Sequence, residues 1–398
     1  MLVNPLVNHT EFPPVTEAAN WIADRVFPDD LPLINVSQAV PGYATSDKVL
    51  EHIAQVVHEP DVSKYGHVLG QPELREAYAS YLATDLVSDT NSISASNISI
   101  TAGCNQAFHV AMTALVNPGD EVLLPTPWYF NHKMSLDMLG IKTVALPCSS
   151  QAQLVPDPEV AAKLITNKTR AIVLITPNNP TGQEYPPSTV NAFYELCKQR
   201  GIALVLDETY RDFREDTSTP AHHVFDDPQW PATAIHLYSF SKAYALAGYR
   251  VGAITAAVDF QTEVTKVLDC VSICAPQLSQ QAALFALGHA QDWRQEKCKS
   301  MHQRAAAFSD ALKSHNHGYQ ITAMGAYFAY LEHPFDLPAR QLARFLSDEA
   351  NLLALPGEMF GPDQEKHLRF AFANVSAEIM PEIAHRLAMY RPQDQGNS

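Results

Sequence analysis

Short apolar runs alternate with helical patterns through the middle of the chain. Ile98–Thr101 reads as a strand, and the Ala-rich stretch after Asn105 reads as a helix to about Val116. Asn117-Pro118-Gly119-Asp120 then turns the chain into a second apolar run, Glu121–Leu124. The rhythm returns at Lys142–Leu146, Ala171–Thr176, Ala203–Asp207 and Ile235–Phe240, with helical stretches such as Pro187–Arg200 between several of them. Strands that are apolar without a break, separated by helices, predict a mostly parallel α/β sheet covered on both faces. From about Ala305 the pattern changes to mixed helix and strand, which predicts a second, smaller domain. The polar tail Arg391–Ser398 is expected to fray.

In a parallel sheet, ligands collect at the carboxyl ends of the strands. The runs here end in small or polar residues: Thr101-Ala102-Gly103, Thr176-Pro177-Asn178-Asn179, Asp207-Glu208 and Ser239-Phe240-Ser241-Lys242. One site built from these distant segments is therefore predicted. Composition narrows what it serves. The 398 residues carry a formal net charge of −16, and the 27 Lys and Arg are scattered, so nucleic acid is not an expected partner. No apolar run is long enough to span a membrane, and Met1–Pro14 lacks the basic start and apolar stretch of a signal peptide. A cytoplasmic protein with its six cysteines reduced is the expectation.

Each candidate residue has an ordinary alternative. Lys242, just past a strand end, becomes a nucleophilic amine if desolvated, although most lysines are solvated surface charges. Asp207 either caps the next helix or faces a protonated pyridine nitrogen, keeping a cofactor ring cationic. Tyr210 either packs in the core or donates to that ring's oxygen. Gly103 and Cys104 open a helix whose free N–H groups and dipole would cradle a phosphate, although many such turns bind nothing, and Arg250 is near enough in sequence to Lys242 to share the anion. Trp128 is either a partly buried aromatic or a ring that stacks on a planar ligand. Arg369 sits in the alternation His367-Leu368-Arg369-Phe370-Ala371-Phe372, where a charge needs a partner, either a structural salt bridge or an incoming carboxylate. Asn178-Asn179-Pro180-Thr181-Gly182 is richer than turn chemistry alone requires.

Taken in order, these motifs resemble the fold-type I aminotransferases, the aspartate aminotransferase superfamily, over nearly the whole chain. Pro41-Gly42, Tyr65-Gly66, Gly70, Leu74-Arg75, the Gly103 turn, Asn117-Pro118-Gly119-Asp120, Asn179-Pro180-Thr181-Gly182, Asp207…Tyr210, Ser239…Lys242…Arg250, Pro356-Gly357…Phe360-Gly361 and Arg369 carry the resemblance. It implies a large domain with a seven-stranded-type, mostly parallel sheet that binds pyridoxal 5'-phosphate (residues 44–300), and a smaller α+β domain (301–398) to which part of an N-terminal arm (1–43) belongs.

The resemblance also implies roles. Lys242 would hold the cofactor as a Schiff base and shuttle the substrate's α-proton, and Asp207 would pair with the pyridine nitrogen. Asn179 and Tyr210 would bind the ring oxygen, with Trp128 stacked on the ring. Gly103, Cys104, Ser239 and Arg250 would hold the phosphate, which Tyr65 would reach from a neighbouring subunit, making a homodimer. Arg369 would clamp the substrate α-carboxylate, with Gly42 lining the same end. Asn131, three residues after Trp128, would stand where some relatives place a histidine touching the aspartate.

The implied activity moves an amino group from an L-amino acid to a 2-oxo acid. A carbon–sulfur lyase or an aminocyclopropane-carboxylate-synthase-like enzyme could use the same residues, and a non-catalytic cofactor-binding protein is a more distant alternative. Nicotinamide dehydrogenase chemistry lacks its Gly-x-Gly-x-x-Gly turn. The chain departs from relatives in reading Gly42-Tyr43-Ala44 where Pro is frequent. It also lacks, before Pro276, the Arg that aspartate-specific members contribute from the partner chain, so a dicarboxylic donor is not favoured. Tyr327, Phe328 and Tyr330 are candidates for a roomy pocket, or for plain core.

Overall fold

The computed structural model describes residues 1–86 and 93–392. The tail from 393 onward, expected to fray, lies outside the described residues. Numbering the strands of the two larger sheets in chain order, the first sheet contains β1 (Ile98–Thr101), β2 (Glu121–Thr126), β3 (Lys142–Pro147), β4 (Thr169–Ile175), β5 (Ala203–Asp207), β6 (Ala234–Ser239) and β7 (Gly252–Thr255). Their order across the sheet is β1-β7-β6-β5-β4-β2-β3, and β7 alone runs antiparallel to its neighbours. The apolar pattern did not announce β7, a four-residue strand directly after Val251.

Side chains alternate between the two faces of a strand, and here both faces are covered. Ile172, Leu174, Leu204 and Leu206 pack into one apolar cluster, while Ala171, Val173 and Val205 pack into another. This double burial explains why the strands read as unbroken apolar runs. Each fully buried Ile, Leu or Val contributes about 1.5–3 kcal/mol, which fixes the sheet and everything mounted on its edge.

The second sheet contains β8 (Gln320–Gly325), β9 (Phe328–Glu332), β10 (Leu355–Pro356) and β11 (His367–Ala371), all antiparallel, in the order β10-β11-β9-β8. A separate short pairing joins Ile34–Asn35 to Leu352–Leu353, so the N-terminal stretch is stitched to this part of the molecule. The 23-residue helix Gln291–Lys313 runs through the position expected to divide the domains. All six cysteines are free thiols. Among the described residues no helix is long and apolar enough to cross a membrane.

Candidate active site

The carboxyl ends of the parallel strands meet at a cavity of about 420 Å³, within the range of small-molecule sites. Asp207, Tyr210, Ser239, Lys242, Arg250, Asn179, Cys104 and Arg369 all line it, so the segments picked out along the chain do converge. Ser239 ends β6 and its hydroxyl accepts from the Ser241 amide at 3.2 Å, starting the short helix Phe240–Ala243 that carries Lys242. The Lys242 amine donates to the Ala39 carbonyl. Burial, then the guanidiniums of Arg369 and Arg250, bring its ammonium down to about 8, with Asp207 opposing them. Such an amine is partly neutral near physiological pH.

Asp207 closes β5 and is 3% exposed. One carboxylate oxygen lies 3.2 Å from His132 Nε2, and the other accepts from the Thr209 amide at 3.0 Å. Burial pushes this carboxyl up, but His132 and Thr209 outweigh it and hold Asp207 below the usual carboxylate range. His132 is itself buried and stacks on Phe108, with ring centroids 3.8 Å apart. Burial pushes the Tyr210 phenol well up, so it remains a donor. Its ring faces the Lys242 amine 5.8 Å away and packs edge-on against Tyr327 and Phe328.

The two adjacent asparagines divide their work. Asn178 Oδ1 accepts from the Thr181 amide and hydroxyl at 3.2 and 3.0 Å, pinning the turn. Asn179 then faces the cavity, where its Oδ1 accepts from Arg369 Nη1 at 3.1 Å. Arg369 owes its direction to strand alternation. Leu368 and Phe370 point into the apolar cluster of the second sheet, so the arginine between them points the other way. It is 1% exposed, donates also to the Ser37 carbonyl, and lies over the rings of Phe328 and Phe360. Its Nε has no partner, and no carboxylate stands within ion-pair reach of it among the described residues. Burial lowers its guanidinium to about 10.

Gly103, with φ +87°, precedes the helix Cys104–Leu115. A Cβ there would lie 2.4 Å from Arg250 Nη2, so a side chain would displace that guanidinium. The bare helix start, Arg250 and the Ser239 hydroxyl together leave a polar cradle.

The structure corrects several expectations. Trp128 does not line the cavity: its amide donates to the Phe360 carbonyl at 2.8 Å and its indole lies beside Gly361, in a separate crevice. Tyr129 lines the cavity instead. Asn131 does not touch Asp207, because its Nδ2 donates to the Tyr129 hydroxyl at 2.9 Å; His132 holds the aspartate. Both shifts are one residue, as follows when an aromatic and the group three positions later share a helix face. Gly42 does not line the Arg369 end. Its amide donates to Ala373 O and a Cβ would lie 2.9 Å from the Asn374 carbonyl carbon, while Gln38, Ala39 and Val40 reach the cavity.

Tyr65 is 78% exposed and outside its own chain's cavity. Tyr327, Phe328 and Tyr330 are buried core; Tyr327 donates to the Lys242 carbonyl at 3.2 Å and Tyr330 to Gln364 Oε1 at 2.9 Å. Sequence reasoning also missed Pro13, Val15 and Thr16, which come back from the N-terminus to line the cavity.

Comparison with known proteins identifies the family and the fold. The chain is 26% identical to the aromatic aminotransferase ISS1 of Arabidopsis thaliana over 95% of this chain and 93% of that protein. It is 25% identical to an aspartate aminotransferase of Sulfolobus acidocaldarius over 90% of each. The fold is similar to that of the Thermus thermophilus aspartate aminotransferase with maleate, at a TM-score of 0.87 and 23% identity, covering 98% of this chain and 100% of that one. The family described as aminotransferase class I and II matches residues 32–387, nearly the whole length, and the chain belongs to it.

Proposed function

We propose that this aminotransferase moves an amino group from an L-amino acid to a 2-oxo acid in the cavity around Lys242, with pyridoxal 5'-phosphate as its cofactor. One observation carries the reading. An amine brought down to about 8 shares a cavity with a buried carboxylate backed by a histidine and a buried guanidinium that has no carboxylate of its own.

The residues fit the cofactor. The cradle that a Cβ at Gly103 would fill, with Arg250, Ser239 and the amides of Gly103 and Cys104, would hold its phosphate. Asp207 would hold its pyridine nitrogen, Asn179 and Tyr210 its ring oxygen, and Tyr129 would cover its ring. When bound, pyridoxal phosphate supplies an aldehyde carbon that takes up amines and a ring that accepts the electron pair released at the substrate α-carbon.

The protein's part follows from the geometry. Lys242 Nζ would hold the cofactor and, as a free amine, would take up and return the proton at the substrate α-carbon. Proton transfer of this kind needs an amine neutral near pH 7–8. Asp207, kept anionic by His132 and Thr209, would pair with the ring nitrogen and favour its protonated form. Arg369 binds the α-carboxylate through donors that the protein leaves under-used, which orients the α-hydrogen toward Lys242. Tyr65 is read as reaching the phosphate bound by a second copy of the chain, in a homodimer; its exposure supports this, since it serves nothing in its own cavity.

The test is a near-ultraviolet and visible spectrum of the protein loaded with pyridoxal phosphate, before and after pools of L-amino acids. Conversion of the bound cofactor to its amine form, with 2-oxo acid released, is the expected result. Release of ammonia, pyruvate or thiol without that conversion would refute transamination in favour of elimination.

A further inference from the structure

Two acids stand together where β5 ends, and amino transfer uses only the first. Side chains alternate along a strand, so Asp207 shares a face of the sheet with Val205, while Glu208 points with Leu204 and Leu206 to the other. Glu208 is fully buried there, beside the equally buried His222 and His236. His236 Nε2 donates to Glu208 Oε2 at 2.9 Å, and His222 Nε2 lies 3.6 Å from Oε1. His222 Nδ1 accepts from the Val224 amide at 3.3 Å, which places the ring proton on Nε2, facing the carboxylate. Arg211 Nε brings a positive charge to within 3.9 Å of Oε2. Burial pushes the Glu208 carboxyl up, but His222, His236 and Arg211 outweigh it and hold it well below the usual carboxylate range. Burial also lowers the His236 imidazole, against the pull of Glu208, so this ring is neutral near physiological pH. Phe225 packs against both imidazoles, with centroids 5.5 and 5.8 Å away. The main chain is held as well: the Glu208 amide donates to the Leu237 carbonyl at 2.9 Å, and the Glu208 carbonyl accepts from the Arg211 amide at 3.1 Å.

We propose that Glu208, with His222 and His236, positions Asp207 and Tyr210 for the reaction, as a second carboxylate–histidine cluster on the face of the sheet turned away from the cavity. Asp207 and Tyr210 are the two ends of a four-residue stretch, and Glu208 ties that stretch to β6, to the segment returning at His222 and to the turn at Arg211. On the cavity side His132 and Thr209 fix the Asp207 carboxylate, so the stretch is held from both faces. The proposal rests on the amino-transfer reading and adds to it residues that lie outside the cavity. A charge-assisted hydrogen bond fixes direction as well as distance, and a reacting or binding group displaced by about 1 Å can cost about 100-fold in rate.

The experiment uses protein loaded with pyridoxal phosphate and two replacements of His236 that change no charge. His236→Phe keeps a planar ring beside Phe225 and removes the donor, whereas His236→Gln returns an amide donor to Glu208. Three quantities are read: the pH at which the bound cofactor changes its visible absorbance, cofactor retention on dilution into an apo-protein trap, and kcat and KM with an amino-acid donor. For His236→Phe the absorbance midpoint is expected to move by about half a pH unit or more. Its retention should weaken at least about threefold and its kcat fall at least about tenfold, with KM within about twofold of the parent. His236→Gln is expected to recover most of each loss. A folded His236→Phe protein with the parental midpoint, retention and kcat would overturn the proposal, whatever its melting point. Equal defects in the two variants would also overturn it, since the hydrogen bond to Glu208 would not be their cause. If His236→Phe does not fold, Glu208→Gln is read by retention and kcat, and parental values of both would overturn the proposal. A parent protein that takes up no cofactor and transfers no amino group would overturn the amino-transfer reading, and this proposal with it.

Discussion

Two arginines are equally buried, each 1% exposed, yet they should respond oppositely to replacement by methionine. Arg386 Nε pairs with Glu382 at 2.7 Å, and Nη1 donates to the carbonyls of Pro32, Ala350 and Asn351 at 2.7, 3.0 and 3.1 Å. Removing Arg386 leaves the carbonyls that it serves unpaired, at about 1–3 kcal/mol each, while Glu382, whose side chain is 42% exposed, is taken up by water. Arg369 has no carboxylate, and burial lowers it from 12.5 to about 10. Its charge is therefore held in the fold at a cost of about 3 kcal/mol at neutral pH.

Losing two charge-assisted hydrogen bonds, to Asn179 and Ser37, works against that gain by about 1.5–3 kcal/mol each, less whatever cavity water restores. Stability of Arg369→Met should thus lie within about 2 kcal/mol of the parent. Function should not be spared: removing the carboxylate's partner costs about 2–5 kcal/mol in kcat/KM, mainly through KM. Urea melts of the two variants, followed by steady-state kinetics with an amino-acid donor, test the contrast. Arg369→Met destabilised as much as Arg386→Met, with an unchanged KM, would show Arg369 to be structural and refute the clamp.

Lys242→Ala should abolish amino transfer while leaving fold and secondary structure intact by circular dichroism. In cofactor-free protein, the Lys242 ammonium titrates near 8 instead of 10.5. Between those values the unfolded chain binds a proton that the native one does not, so stability from this group rises with pH, by about 1.4 kcal/mol per unit. Melts of wild type minus Lys242→Met should show that slope between pH 8 and 10, and a flat difference would contradict the shift. Tyr129→Ala should weaken cofactor retention at least about tenfold, the scale of a lost ring contact of about 1.5 kcal/mol. Trp128→Phe should leave retention unchanged, and the reverse order would restore Trp128 to the ring. Tyr65→Phe should speed cofactor dissociation by roughly tenfold if its hydroxyl serves a second copy's phosphate, measured by dilution into apo-protein trap. Unaltered dissociation would count against the shared site.

Much of this was legible along the chain because the physics is local. Strands buried on both faces must be apolar throughout, and parallel strands must deliver their carboxyl ends to one edge, so Asp207, Asn179 and Lys242 could be placed together from sequence alone. Arg369 was legible for another reason: a charge within an apolar alternation has to face something. The errors fall where periodicity is silent. Trp128-Tyr129-Phe130 offers three aromatics in a row after Pro127, with no alternation to say which faces the cavity. Choosing the first carried Asn131 along in place of His132. The usable signal was the spacing Tyr129 to His132 across the start of helix Phe130–Met138. Pro13, Val15 and Thr16 were out of reach, since nothing local tells a chain end where it returns.

That return has a consequence for how the protein is made. Arg25 Nη2 donates to Asn351 Oδ1, 326 residues later in sequence, and Ile34 pairs with Leu352. During synthesis the seven-stranded sheet is complete once Thr255 has emerged, and can form as a unit. Ile34, Val36 and the cavity-lining N-terminal stretch must then wait, with their apolar faces uncovered, until Leu352 and Leu353 have left the ribosome. The cavity around Lys242 is therefore completed only after the seven-stranded sheet. A nascent chain stalled before Leu352 would hold a finished sheet and Lys242 but only half of the pocket around it. Termination before Leu352 should leave a product that captures chaperones more readily than small molecules.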